Sequence, residues 1–159
     1  MATTLKLAGY LASLTAVAWT GATQKIDSLT DNEWTDLSDE IDNSSNLYAY
    51  ADLELVLGSA AFTGADSGIE IYIVPTIDGT NYPSWLGNST SEAQQNQLHQ
   101  VAFLFTTGGT AAQRMVTPEI APVRLPNGKF KFGIRNRGNV SLASSGNTLS
   151  WRPHSFQSA

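Results

Sequence analysis

No cysteine occurs in the 159 residues, which removes disulfides, thiolate metal ligands and cysteine nucleophiles from consideration. Histidine is nearly as scarce, with His99 and His154 the whole supply, so little material exists for acid–base chemistry near neutral pH. His99 stands in LHQVAFLF, out of phase with Leu98, and His154 lies close to the C-terminus; neither context orients a Ser-His-Asp triad. Paired carboxylates of a glycoside hydrolase are defined by distance in space and leave no mark in a sequence. The expectation is a protein that is not an enzyme and carries no cofactor.

Cations are missing from the first half. Residues 1–80 hold two cations, Lys6 and Lys25, against twelve acids, a net −10; residues 81–159 hold seven cations against two acids, a net +5; together they make the overall −5. A dedicated nucleic-acid binder would show a broadly positive field. The split points instead to neutralisation within the fold or between subunits, with no nucleic-acid partner.

Long hydrophobic runs are also lacking. The apolar stretch from Leu7 to Trp19 is diluted by Gly9, Tyr10, Ser13 and Thr15, too short and polar to cross a bilayer and a poor secretory signal although Lys6 precedes it. It reads as an N-terminal arm over residues 1–26, with Leu5, Leu7, Tyr10, Leu11 and Trp19 as its contact residues. Without a secretory signal, the sequon matches at Asn43, Asn88 and Asn139 read as chance.

Sustained helical periodicity is absent as well, and period-2 alternation bounded by Gly, Asn and Pro takes its place. In LYAYADLELVLG, Leu47, Ala49, Ala51, Leu53, Leu55 and Leu57 share one face. GIEIYIVPTI sets Ile69, Ile71 and Ile73 against Glu70, Tyr72 and Val74, and Pro75 marks a strand end. Further strands are expected at 98–107, 111–117, 129–137, 139–143 and 147–153. About eight short strands predict an all-β fold: a single antiparallel β-sandwich over residues 27–159, jelly-roll or Greek-key like. With about 70% of the unfolded chain's surface buried at this length, no staple is needed.

KFKFGIRNRG (129–138) puts Phe130, Phe132 and Ile134 on a core face and Lys129, Lys131, Arg135 and Arg137 on the other. Same-face residues on a strand repeat every ~6.6–7 Å, which suits a row of phosphates or of carboxylates. The RNA-binding aromatic motif requires a glycine ahead of its aromatics, and here both phenylalanines face the core. The row is then a candidate protein interface whose counterpart is carboxylate, on the acidic first half, on a sister subunit or on another protein. The natural intrachain candidate is the run DSLTDNEWTDLSDEIDN (27–43), anchored by Trp34 and Leu37, which contains no glycine and lacks the ligand spacing of an EF-hand. In the long polar stretch around NYPSWLGN, Tyr82 and Trp85 are candidate interface anchors or a sugar-stacking platform.

SLTDNEWTDLSDEIDNSSN, ADLELVLGSA, DGTNYP and above all LPNGKFKF...RN.G...ASSGNTL...RP together resemble small virion proteins of tailed bacteriophages. The resemblance spans about residues 27–153 and implies a capsid decoration (cement) protein, assembled in the host cytoplasm onto the head's outer surface. It implies the major capsid protein as partner, homo-oligomerisation as a dimer or trimer, and no catalytic residue. The alternative expectation is a carbohydrate-binding or receptor-binding module of a phage tail or fibre.

Overall fold

A computed structural model describes residues 5–7, 12–64, 67–85, 99–117 and 121–158. Its strands, in chain order, are β1 (Leu5–Leu7), β2 (Thr15–Ala16), β3 (Ile41–Asp42), β4 (Tyr50–Leu57), β5 (Gly68–Pro75), β6 (Gln100–Phe105), β7 (Gln113–Val116), β8 (Val123–Arg124), β9 (Lys129–Arg137), β10 (Thr148–His154) and β11 (Phe156–Ser158). Every pairing among them is antiparallel.

Four pairs nest inside one another along the chain: β2 with β10, β3 with β9, β4 with β7 and β5 with β6. Such nesting is one long hairpin rolled up. The contacts of β10 with β4 and of β9 with β5 close it into two sheets, ordered β2-β10-β4-β7 and β3-β9-β5-β6, with β8 added to β4. The expected sandwich is present, and the order is that of a jelly roll. β1 and β11 form a separate ribbon.

Alternation decides what each strand buries. Leu53, Leu55 and Leu57 of β4 and Leu149 of β10 meet Ile69, Ile71 and Ile73 of β5 and Phe130, Phe132 and Ile134 of β9 between the sheets. Each such side chain contributes about 1.5–3 kcal/mol by leaving water, so this layer is the main stabilising term.

Three expectations change. The stretch expected as an arm joins the sandwich from Thr15 onward, because β2 covers the edge of β10 and Val17, Trp19 and Ile26 enter the same core. Leu47 is not a core residue; it sits at a turn with φ 49° and is 56% exposed, and β4 begins only at Tyr50. No strand forms at 139–143. There the Asn136 side chain, fully buried, donates to Leu29 O (3.0 Å) and Val140 O (2.7 Å) and accepts from Gly138 N (2.8 Å), while Asp31 takes the Asn139 N–H. These side chains occupy groups that a ladder would use, and Asn139 turns to φ 58°.

Candidate functional site

The cationic row of β9 lies on the outer face of the β3-β9-β5-β6 sheet, and the chain itself covers much of it. Residues 32–42 run beside β9 as an irregular edge. Thr35 N–H donates to Ile134 O (2.9 Å) and Ser38 N–H to Phe132 O (2.8 Å). The return bonds go to hydroxyls: Ile134 N–H to Thr35 Oγ1 (3.0 Å) and Phe132 N–H to Ser38 Oγ (2.8 Å). Short hydroxyl side chains thus satisfy β9 where the backbone of the flanking segment bends away.

That edge delivers Trp34 opposite Arg135. Trp85 arrives from beyond β5, donates its indole N–H to Thr35 O (2.7 Å) and lies on Gly133. Trp34, Tyr72 and Trp85 form a triangle with ring centroids 5.0, 5.4 and 5.7 Å apart, a second apolar cluster outside the main core.

Arg135 is drawn into this cluster. Its guanidinium sits 5.0 Å from the Trp34 ring and 3.7 Å from Glu70 Oε2, and its side chain is 7% exposed. Tyr72 Oη donates to the same Glu70 oxygen (2.9 Å), and Arg137 lies 3.5 Å from Oε1. Burial, reinforced by the bond to Glu70, pushes the Tyr72 phenol well above its ordinary pKa. Register places Glu70 directly opposite Arg135, a pairing that aligning GIEIYIV antiparallel to KFKFGIRNR would have disclosed.

The other end of the row is more open. Lys129 Nζ lies 2.8 Å from Glu40 Oε1, Tyr82 Oη donates to Glu40 Oε2 (2.9 Å), and the Lys131 ammonium stands 4.9 Å from the Tyr82 ring centroid. The bond from Lys129, then that from Tyr82, hold the Glu40 carboxyl below its usual range, and Glu40 in turn raises Lys129. Burial and the Glu40 bond raise the Tyr82 phenol. The acidic run therefore supplies Glu40 to Lys129, while Arg135 and Arg137 take Glu70 of β5.

Most carboxylates of the run do something the sequence reading missed: they accept hydrogen bonds that tie down neighbouring irregular segments. Asp36 takes the N–H groups of Thr23 (2.8 Å) and Gln24 (2.9 Å), Asp39 takes the Thr20 hydroxyl (2.6 Å), and Asp42 takes Ser44 N–H (2.8 Å). The bond from the Thr20 side chain lowers the Asp39 pKa, as the Ser44 side chain does for Asp42. Asp-x-Ser at 42–44 was the legible signal for one of these turns. Leu37 is half-buried, and Trp34 is the true anchor.

Of the expected contact residues, Trp19 is a core residue whose indole donates to Asp36 O (3.0 Å). Leu5 and Leu7 lie in β1, paired with Ser158 and Phe156; Tyr10 and Leu11 fall outside the described residues, as do 86–98 of the polar stretch. Trp85 is half-buried on the sheet, and the Tyr82 ring carries Lys131, so stacking a sugar there would require displacing Lys131. Arg135 is interior, so the accessible part of the row is Lys129, Lys131 and Arg137. Asn43 is buried with its amide bonded to Tyr48 O and Pro126 O, which leaves it no freedom as a glycosylation site.

His154 is buried on the outer face of the other sheet, stacked on Tyr50 (5.9 Å) with Nε2 3.7 Å from Asp52 Oδ1; His99 is half-buried at the start of β6. Among the described residues no helix is long and apolar enough to cross a membrane, and no group of His, Asp and Glu is placed to hold a metal ion. Comparison with protein-family models, with curated proteins and with solved structures finds no match to this chain.

Proposed function

We propose that this chain is a structural virion protein of the decoration type, which binds the outside of a tailed-phage head and stabilises it by bridging capsid subunits. The observation that carries the reading is that this chain itself covers much of the outer face of the β9 sheet. Trp34 and Trp85 cover the middle of that face, and Glu40 and Glu70 pair with Lys129, Arg135 and Arg137, all within this chain. A sheet packed on both faces and closed by its own charges is a rigid block, as a clamp against internal pressure requires. The most specific piece of the resemblance to phage virion proteins, residues 125–153, supplies β9 and β10, one inner strand of each sheet.

Attachment then falls to what remains accessible: Lys131, Arg137, and the exposed apolar side chains Phe105, Val116 and Ile77. Many copies around a symmetric shell add avidity to weak single contacts. Quantifying this polypeptide against the major capsid protein in purified virions tests the reading. A simple stoichiometric ratio is expected; a handful of copies per particle, or none, overturns it.

A further inference from the structure

β6, the last strand in the order of the four-stranded sheet among the described residues, reads QVAFLF, with no charge and no proline along it. Natural proteins blunt exposed edges with lysine, proline or a covering segment. Among the described residues β6 pairs with β5 alone, and Phe105 is 68% exposed. Thr106 N–H donates to Ser67 O (3.0 Å), so alternation turns the N–H and C=O of Phe103, Phe105 and Thr107 away from β5. At Thr107 the edge is closed: Gln113 accepts its N–H (2.8 Å) and donates to its C=O (2.6 Å), as a partner strand would. At Phe103 and Phe105 no described side chain does this.

We propose that β6 is a two-fold interface, at which a second copy of this chain adds its own β6 antiparallel and the two sheets become one. The inference rests on the decoration reading, whose resemblance implies a homo-oligomer, and names the surface. A second copy is the occupant that fits because about a two-fold axis like meets like. A charge would oppose its own kind at a cost, and β6 has none. The register that uses the outward groups of Phe103 and Phe105 puts Leu104 on the axis and pairs Phe103 with Phe105 of the other copy. Their rings already touch within one chain, edge to face with centroids 4.8 Å apart, and Phe103 is held over Gly68, where a side chain would clash with it. Pairing would bring two such ledges together on one face.

Sedimentation of the purified full chain, with Phe105→Lys as the comparison, tests this. Wild type should be a dimer and Phe105→Lys a monomer; because the replaced side chain is exposed, the variant should melt like wild type diluted to the monomer, with no dependence on concentration. In hydrogen exchange, the Phe103 and Phe105 amides should be protected in wild type and lose protection on dilution. A monomeric wild type, a trimer, or a Phe105→Lys variant that still dimerises each overturns the proposal. Protection of these amides only on heads would assign the edge to a capsid segment instead. A solution dimer absent from virions would leave the edge pairing standing and remove the decoration role.

Discussion

The indole of Trp85 occupies the space that any side chain at Gly133 would need: a Cβ built there falls 2.5 Å from Cη2 and closer still to Cζ2. Gly133 lies in the middle of β9, where glycine is normally a poor choice. Its lack of a side chain is what lets the Trp85 ring approach the sheet beside Trp34 and Tyr72.

Gly133→Ala should therefore destabilise the fold by about 1–3 kcal/mol, the usual cost of overpacking, and expel Trp85 with a red shift in tryptophan fluorescence. Trp85→Ala should abolish most of that penalty. A double-mutant cycle in urea reads the coupling directly, and additive effects would mean the two residues do not share the site.

Thr35 replaces a strand partner for β9 through its hydroxyl, because Ile134 N–H has Thr35 Oγ1 at 3.0 Å. Thr35→Val keeps the shape and leaves that buried donor without an acceptor, at about 1–3 kcal/mol. Thr35→Ser should keep most of the stability. Amide exchange at Ile134 is the sharper readout: it should accelerate in the valine variant and stay slow in the serine variant.

The main sandwich was legible because its strands are buried on the inside at period 2: Ile69, Ile71, Ile73, Phe130, Phe132 and Ile134 all sit where alternation put them. The outer layer was not legible for the same reason. Alternation assigns Glu70, Tyr72 and Arg135 to an exposed face, but 32–42 and Trp85 are irregular segments with no period, and they cover that face. Leu47 misled in the opposite direction: its phase matched the leucines of β4, yet it sits at positive φ and the strand begins only at Tyr50. Asn136 gave no warning at all, since a side chain that bonds three backbone groups looks like any polar residue in a strand.

Glu40 and Lys129 set a pH signature. Glu40 has its pKa lowered in the fold, so its contribution is present above the ordinary carboxylate range and lost as pH falls through the depressed value. Lys129 has its pKa raised, so its contribution is complete below the ordinary lysine range and lost as pH rises through the elevated value. The stability gap between wild type and Glu40→Gln should be small, widest between those limits, and shrink in acid, in strong alkali and in added salt. Urea midpoints across pH measure it; a gap independent of pH would remove the ion pair as its cause.

Lys131 and Arg135 sit four residues apart on the same strand face and should behave as opposites. Arg135 is interior, held by Glu70 and Trp34. Arg135→Glu places a second carboxylate beside Glu70 and should cost at least the ~3–5 kcal/mol of breaking a buried pair. Lys131 is only half-buried against Tyr82, so Lys131→Glu should change stability by less than about 1 kcal/mol. Any loss of head binding in Arg135→Glu would thus reflect unfolding. Lys131→Glu is the variant that reads the surface. If this face meets the capsid, it should lower occupancy on heads while its melting curve stays near wild type. Unchanged occupancy would confine the role of Lys131 to holding Tyr82, and would leave the β6 edge and the exposed apolar residues as the places where attachment is made.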